Sequence, residues 1–216
     1  MANPSSSEIW SVVHDERQSL VDDLKSLETN KWCTPSLCPG WDVHDVLAHL
    51  LDSAKTTRLS FLRRMVAAGL DFDRGNAVGI TREKATAAED TLSAFRAVCA
   101  HTTTPPAALA TRLVEAFVHG EDIRRPLKIG RNYPPVHVAE ALAYQVKTSV
   151  KIGGGKEPAQ GWHLIATDAP FEHGDGPKVY GPAIALLLAV SGRPVGADEL
   201  TGPGAHSFVT EVSEES

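Results

Sequence analysis

Hydrophobic positions in the first 130 residues recur at helical spacing, and four helical segments can be read from them. Glu8 to Leu27 carries Ile9, Val12, Val13, Leu20, Val21 and Leu24 as one stripe. A second segment, Trp41 to about Leu70, carries Val43, Val46, Leu47, Leu50, Leu51, Phe61, Leu62 and Met65. Asp42 can cap its start, directly after the turn residues Cys38-Pro39-Gly40. A third helix fits Thr81 to Ala100 through Ala88, Leu92, Phe95 and Val98. A fourth runs from the Pro105-Pro106 pair, which suits the start of a helix, to about Arg125. Four such helices joined by moderate loops predict a bundle.

Beyond residue 130 the pattern changes. Gly and Pro together number 12 in residues 1–130 and 19 in the shorter stretch 131–216. Pro126, Gly130, Pro134 and Pro135 mark the junction. A helix from Val136 to Val150 is followed by a break at Gly153-Gly154-Gly155. Trp162 to Thr167 reads as a strand, Pro182 to Val190 as a short buried helix, and Phe208 to Val212 as a further strand. The predicted architecture is mainly α, α+β overall: a four-helix bundle over 1–130, then a small α+β domain over 131–216.

Composition narrows the class. The 216 residues are 42% hydrophobic and 22% charged, enough for a sizeable core and too balanced for disorder. The longest apolar run, Ala183 to Val190, is far short of the roughly 20 residues a bilayer requires. Met1 to Ser7 is small and polar, unlike a signal peptide. The net charge is −6, with basic and acidic residues interleaved, which argues against nucleic acid and anionic membranes as partners. Cys33, Cys38 and Cys99 are too few for a secreted disulfide framework. A cytoplasmic protein is expected, and no apolar helix face demands a dimer.

Chemistry concentrates in two helices. In Leu113-Val114-Glu115-Ala116-Phe117-Val118-His119, Glu115 and His119 stand at i and i+4 among apolar neighbours. A carboxylate and an imidazole drawn toward a core are costly unless something satisfies them, and a divalent metal would do so. His49, similarly flanked in the second helix, completes a set of two histidines and one carboxylate, the donors of a catalytic zinc with an open position. The same i, i+4 pair also occurs as an ordinary helix-surface contact. Asp45 and Asp122 stand where either could hold a ligand histidine by its second nitrogen, or be a solvated carboxylate. Gly153-Gly154-Gly155-Lys156 lacks the spacing of a phosphate loop, and no Gly-x-Ser-x-Gly elbow is present.

Three stretches carry a family resemblance. Trp32-Cys-Thr-Pro-Ser-Leu-Cys-Pro-Gly-Trp-Asp-Val-His-Asp-Val-Leu-Ala-His-Leu50 and Glu115-Ala-Phe-Val-His119-Gly-Glu-Asp122-Ile-Arg124-Arg125-Pro-Leu are the first two. The third is Val179-Tyr-Gly-Pro-Ala-Ile-Ala-Leu-Leu-Leu-Ala-Val-Ser-Gly-Arg193-Pro. Together they resemble the mycothiol-dependent maleylpyruvate isomerase family, whose bundle belongs to the DinB-like metal-binding group. The resemblance implies His49, Glu115 and His119 as ligands of zinc or another divalent metal, mycothiol as thiol cosubstrate, and a small electrophile as substrate. It also implies a catalytic arginine, with Arg193 the nearest match; otherwise Arg193 is a helix-end residue neutralising carbonyls.

The expected function is therefore a zinc-dependent mycothiol S-transferase or isomerase, in which the metal favours the thiolate for attack on the electrophile. Two readings stand beside it: a metal-dependent hydrolase using zinc-bound water, and a non-catalytic bundle that binds a small molecule.

Overall fold

A computed structural model describes residues 4–69, 71–196 and 198–214. The chain divides into two compact units, Met1–Arg131 and Asn132–Ser216. The first holds α1 (Ser6–Leu24), a 3-10 turn (Thr29–Cys33), α2 (Val43–Lys55), α3 (Arg58–Ala67), α4 (Phe72–Glu83), α5 (Ala88–Val98) and α6 (Ala110–Leu127). The second holds α7 (Pro135–Gln145), β1 (His163–Ala166), β2 (Glu172–His173), β3 (Lys178–Gly181), α8 (Ala183–Val190) and α9 (Ala205–Glu214). No helix among the described residues is long and apolar enough to cross a membrane.

In the first unit α1 packs on α5 and α6, and α2 packs on α5 and α6, which closes a four-helix bundle. Leu20 and Leu24 of α1, Leu47 and Leu51 of α2, Phe95 of α5 and Ile123 of α6 share its core. Arg124, fully buried, ties α6 to α1 by pairing with Asp23 at 2.7 Å and Glu16 at 3.6 Å. Ser5 and Glu8 form a capping box that starts α1.

The long second helix expected from Trp41 to Leu70 is two helices; Leu70 itself lies outside the described residues. The break falls at Thr56-Thr57. The Thr56 hydroxyl donates to the Asp52 carbonyl at 2.8 Å and its backbone turns extended, with ψ 115°. Thr57 then caps α3, its side chain accepting from Ser60 N at 3.2 Å. Two adjacent β-branched hydroxyl residues thus offer the backbone an alternative to helix continuation, and the apolar stripe hid it.

The expected helix from Thr81 to Ala100 is likewise α4 plus α5, and α4 has no strong signal because Gly75 and Gly79 weaken its helical pattern. Gly79 has a packing reason. A Cβ there would lie 2.7 Å from the Asp52 Cγ of α2, so only glycine lets α4 approach that carboxylate. Asp52 is 1% exposed and held by Arg64 and Arg82, so it cannot move aside cheaply. Gly79→Ala is therefore expected to destabilise by about 1–3 kcal/mol despite alanine's better helix propensity. Gly75→Ala, whose added carbon meets Arg64 Cγ at 3.8 Å and Ala68 Cβ at 4.0 Å, both ordinary contacts, is expected to be neutral or mildly stabilising. Urea denaturation of the two variants checks the opposite signs.

Helix α6 starts at Ala110 rather than at Pro105-Pro106. The two prolines instead sit in an irregular segment, where the residue before each is steered away from helix. At its other end α6 runs through Pro126 to Leu127 and stops at Lys128, which adopts a left-handed φ of 59°. Pro126 has no N–H for the carbonyl of Asp122, four residues earlier. That carbonyl accepts from Leu37 N at 3.2 Å instead. Leu37 belongs to a tight excursion in which Val43 N donates to the Thr34 carbonyl and Ser36 N to the Trp41 carbonyl. At its tip Trp41 N donates to Cys38 O, with Gly40 at φ 78°, the third-residue geometry of a type II turn that favours glycine. The expected turn at Cys38-Pro39-Gly40 and the Asp42 cap of α2 are both present.

The second unit builds a three-stranded sheet in the order β2-β1-β3, with β1 antiparallel to β2 and parallel to β3. Helix α8, without a single polar side chain, is buried nearly all round and packs on α7 and α9. The strand expected over Phe208 to Val212 is part of α9. Phe208 and Val212 stand at i and i+4 and are both buried, which is helical periodicity carried by residue types that favour strands. Cys33, Cys38 and Cys99 are not joined in disulfides.

Candidate active site

Packing of α2 on α6 brings two sequence-predicted residues into contact. The His49 and His119 rings lie 4.8 Å apart, centroid to centroid, at 76°. Trp41, from the excursion before α2, places its ring 5.1 Å from that of His49. His49 is half-buried, and its Nδ1 is buried with no hydrogen-bond partner. Burial, reinforced by His119, pushes its pKa down to about 3. The imidazole is thus neutral at neutral pH, the state in which a ring nitrogen can bind a metal.

His119 donates from Nδ1 to the Asp122 carboxylate at 2.8 Å, and Asp122 is fully buried. This fixes the ring and leaves its Nε2 lone pair for another partner. Of the two carboxylates that could orient a histidine, Asp122 does so and Asp45 does not. Asp45 is occupied by the reciprocal cap with Asp42 and by Lys84 at 2.8 Å.

Glu115, one turn before His119 on α6, is 9% exposed. Its carboxylate faces Arg112 Nη1 at 3.1 Å and Arg17 Nη2 at 3.8 Å, and it accepts from the Ser53 hydroxyl. Arg112 also donates to Ser53 Oγ at 2.7 Å, and Arg17 to the His101 carbonyl at 3.0 Å. Burial pushes the Glu115 carboxyl up, but Arg112, Arg17 and the Ser53 hydrogen bond outweigh it and hold it below the usual carboxylate range. Burial lowers Arg17, against the opposing pull of Glu115. Two guanidiniums thus share one carboxylate, and Arg17 Nη2 and Arg112 Nε stay buried without hydrogen-bond partners. These arginines and Ser53 escaped sequence reading. Arg112 stands at i−3 from Glu115, a readable spacing, whereas Arg17 meets it only through the packing of α1 on α6.

Among the described residues no three His, Cys, Asp or Glu side chains converge as they would on a bound ion. The donors fit a divalent metal in kind: two neighbouring imidazoles, one with an orphaned buried nitrogen and one oriented by a carboxylate, and a buried ionised Glu115 one turn from His119. The departure lies in Glu115, whose carboxylate is taken up by the two arginines.

Arg193 belongs to the second unit. It follows α8, and its Nη1 donates to the Ser191 carbonyl at 2.7 Å, the helix-end contact that stood as the plainer reading.

Known proteins give the site a context. The sequence model of the family described as "Mycothiol maleylpyruvate isomerase N-terminal domain" matches residues 13–124, just over half of the chain. Among curated proteins none matches. Two solved structures share the fold. One, a histidine-to-alanine variant of a mycothiol-dependent maleylpyruvate isomerase, aligns with a TM-score of 0.62 at 15% identity, covering 95% of this chain and 97% of that chain. The other, a mycothiol-dependent maleylpyruvate isomerase, aligns at 0.58 and 16% identity with the same coverage.

Proposed function

The chain belongs to the mycothiol maleylpyruvate isomerase family through its N-terminal domain, and on that premise we propose that it is a mycothiol-dependent isomerase or S-transferase acting on a small electrophile, with His49, Glu115 and His119 as ligands of a divalent metal, zinc by resemblance. The observation that carries this reading is the contact of His49 with His119 across α2 and α6, with Glu115 one turn away on the same helix.

Bound there, a divalent metal would supply a Lewis acid that makes an entering thiol a stronger acid. The chain's own residues prepare for it. His49 stays neutral because it is buried, and so keeps its lone pair available. Asp122 holds His119 by Nδ1 and fixes which nitrogen faces outward. Arg112 and Arg17 keep Glu115 ionised, and their surplus positive charge favours anionic species nearby. Arg193 is carried as a catalytic residue by resemblance alone.

The test supplies zinc to the full chain, removes the excess, and counts metal by elemental analysis. About one ion per chain is expected. The loaded protein is then assayed with maleylpyruvate and with monochlorobimane, with and without mycothiol. Thiol-dependent turnover of maleylpyruvate assigns an isomerase, and conjugation of the bimane alone an S-transferase. Absence of metal overturns the ligand assignment. Turnover that needs no thiol overturns the thiol reading in favour of hydrolysis.

A further inference from the structure

A second site of different chemistry lies between α3 and α4. Residues 58–82 contain five arginines and no lysine, in a chain whose net charge is −6. Four of them, Arg63, Arg64, Arg74 and Arg82, line a cleft of about 500 Å³, and no acidic side chain lines it with them. Arg64 and Arg82 are anchored from beneath by one carboxylate, the buried Asp52 of α2. Arg63 and Arg74 are exposed, and their guanidiniums form no hydrogen bond or ion pair among the described residues. Arg82 also pairs with Glu83 at 2.9 Å, so the cleft holds four guanidiniums against two carboxylates, neither of which lines it. Its wall is apolar: Leu59 and Val78 line it while 58% and 55% exposed.

We propose that this cleft binds a small amphiphilic organic anion, a carboxylate or phosphate monoester carried on an apolar body. Guanidiniums bind both head groups with paired, charge-assisted hydrogen bonds, and two of these already have their orientation fixed by Asp52. Leu59 and Val78 provide the surface an apolar body would cover on binding. The volume falls within the roughly 300–1,000 Å³ of small-molecule sites. Positive charge alone would serve any anion; the apolar wall beside it selects one with a hydrocarbon part. The inference is independent of the metal and of the thiol.

Calorimetric titration of the full chain tests it, with hexanoate and hexyl phosphate as probes and hexanol and inorganic phosphate as controls. One saturable site is expected for at least one organic anion, with both controls weaker by about tenfold or more. Whichever organic anion binds more tightly identifies the head group. The double variant Arg63→Ala/Arg74→Ala removes two exposed, unpaired side chains, so its thermal midpoint should match wild type while affinity falls by about tenfold or more. Three results would overturn the proposal: no binding of either organic anion at millimolar concentration, inorganic phosphate or hexanol binding as tightly as the organic anions, or unchanged affinity in the folded double variant.

Discussion

His49→Ala is expected to cost the chain its metal and, with it, at least about a thousandfold of kcat/KM in a thiol-dependent assay. Substituting an outer partner of a metal ligand typically costs about 10–100-fold in affinity or activity, and a direct ligand contributes more. Metal content read by elemental analysis should fall from about one ion per chain to well below that in the same preparation. The fold should persist, because His49 makes no hydrogen bond from Nδ1 and packs by its ring against Trp41 and His119. Asp122→Asn should lie between, retaining metal with about 10–100-fold lower affinity because it disturbs only the orientation of His119. A His49→Ala protein that keeps both its ion and its turnover would remove this histidine from the site.

Glu115→Ala is expected to produce the largest loss of stability, about 3–5 kcal/mol, whether or not metal is present. The carboxylate is the acidic partner of both Arg17 and Arg112, which are 3% and 6% exposed. Removing it leaves two buried guanidiniums facing each other with Ser53, and an uncompensated buried charge is far costlier than a missing ion pair. For a chain of this size the thermal midpoint should drop by roughly 10 °C. Glu115→Ala combined with Arg17→Met should recover part of that loss by removing one of the stranded charges. If Glu115 served only as a metal ligand, the metal-free variant would unfold like the metal-free wild type. A midpoint shift under about 2 °C in metal-free protein would therefore contradict the electrostatic role drawn from the two arginines.

These two residues also show where sequence reasoning reaches and where it stops. Glu115 and His119 were legible because the helix period places them on one face, and His49 because it interrupts an apolar stripe. The surroundings of Glu115 were not legible, since Arg17 lies on a different helix and no local pattern links them. Asp45 was a plausible partner for His49 by spacing, but a carboxylate three residues after an N-cap Asp is also placed to complete the cap, and that local bond wins. Boundaries failed for similar reasons. Apolar periodicity continued across Thr56-Thr57 although the hydroxyls end the helix there. The glycines of α4 weaken its helical pattern, and the packing reason for Gly79, the Asp52 carboxylate, comes from another helix. In α9 the β-branched residues pointed to a strand, while the i, i+4 burial of Phe208 and Val212 is satisfied by a helix.

Pro126 gives the site a property that no ligand residue supplies. By withholding an N–H from the Asp122 carbonyl it leaves an acceptor that Leu37 fills, while the Asp122 side chain steadies His119. One aspartate therefore grips the chain leading into α2 with its backbone and an imidazole of α6 with its carboxylate. The excursion it holds carries Trp41, which rests against His49. The two imidazoles are consequently registered to each other through one main-chain bond and one side-chain bond of the same aspartate, so that capture of an ion, as proposed, would not first have to freeze two independent helices. On the proposed metal reading, the ordering cost of these two histidines would be met in folding, and their interaction with an ion would remain for binding.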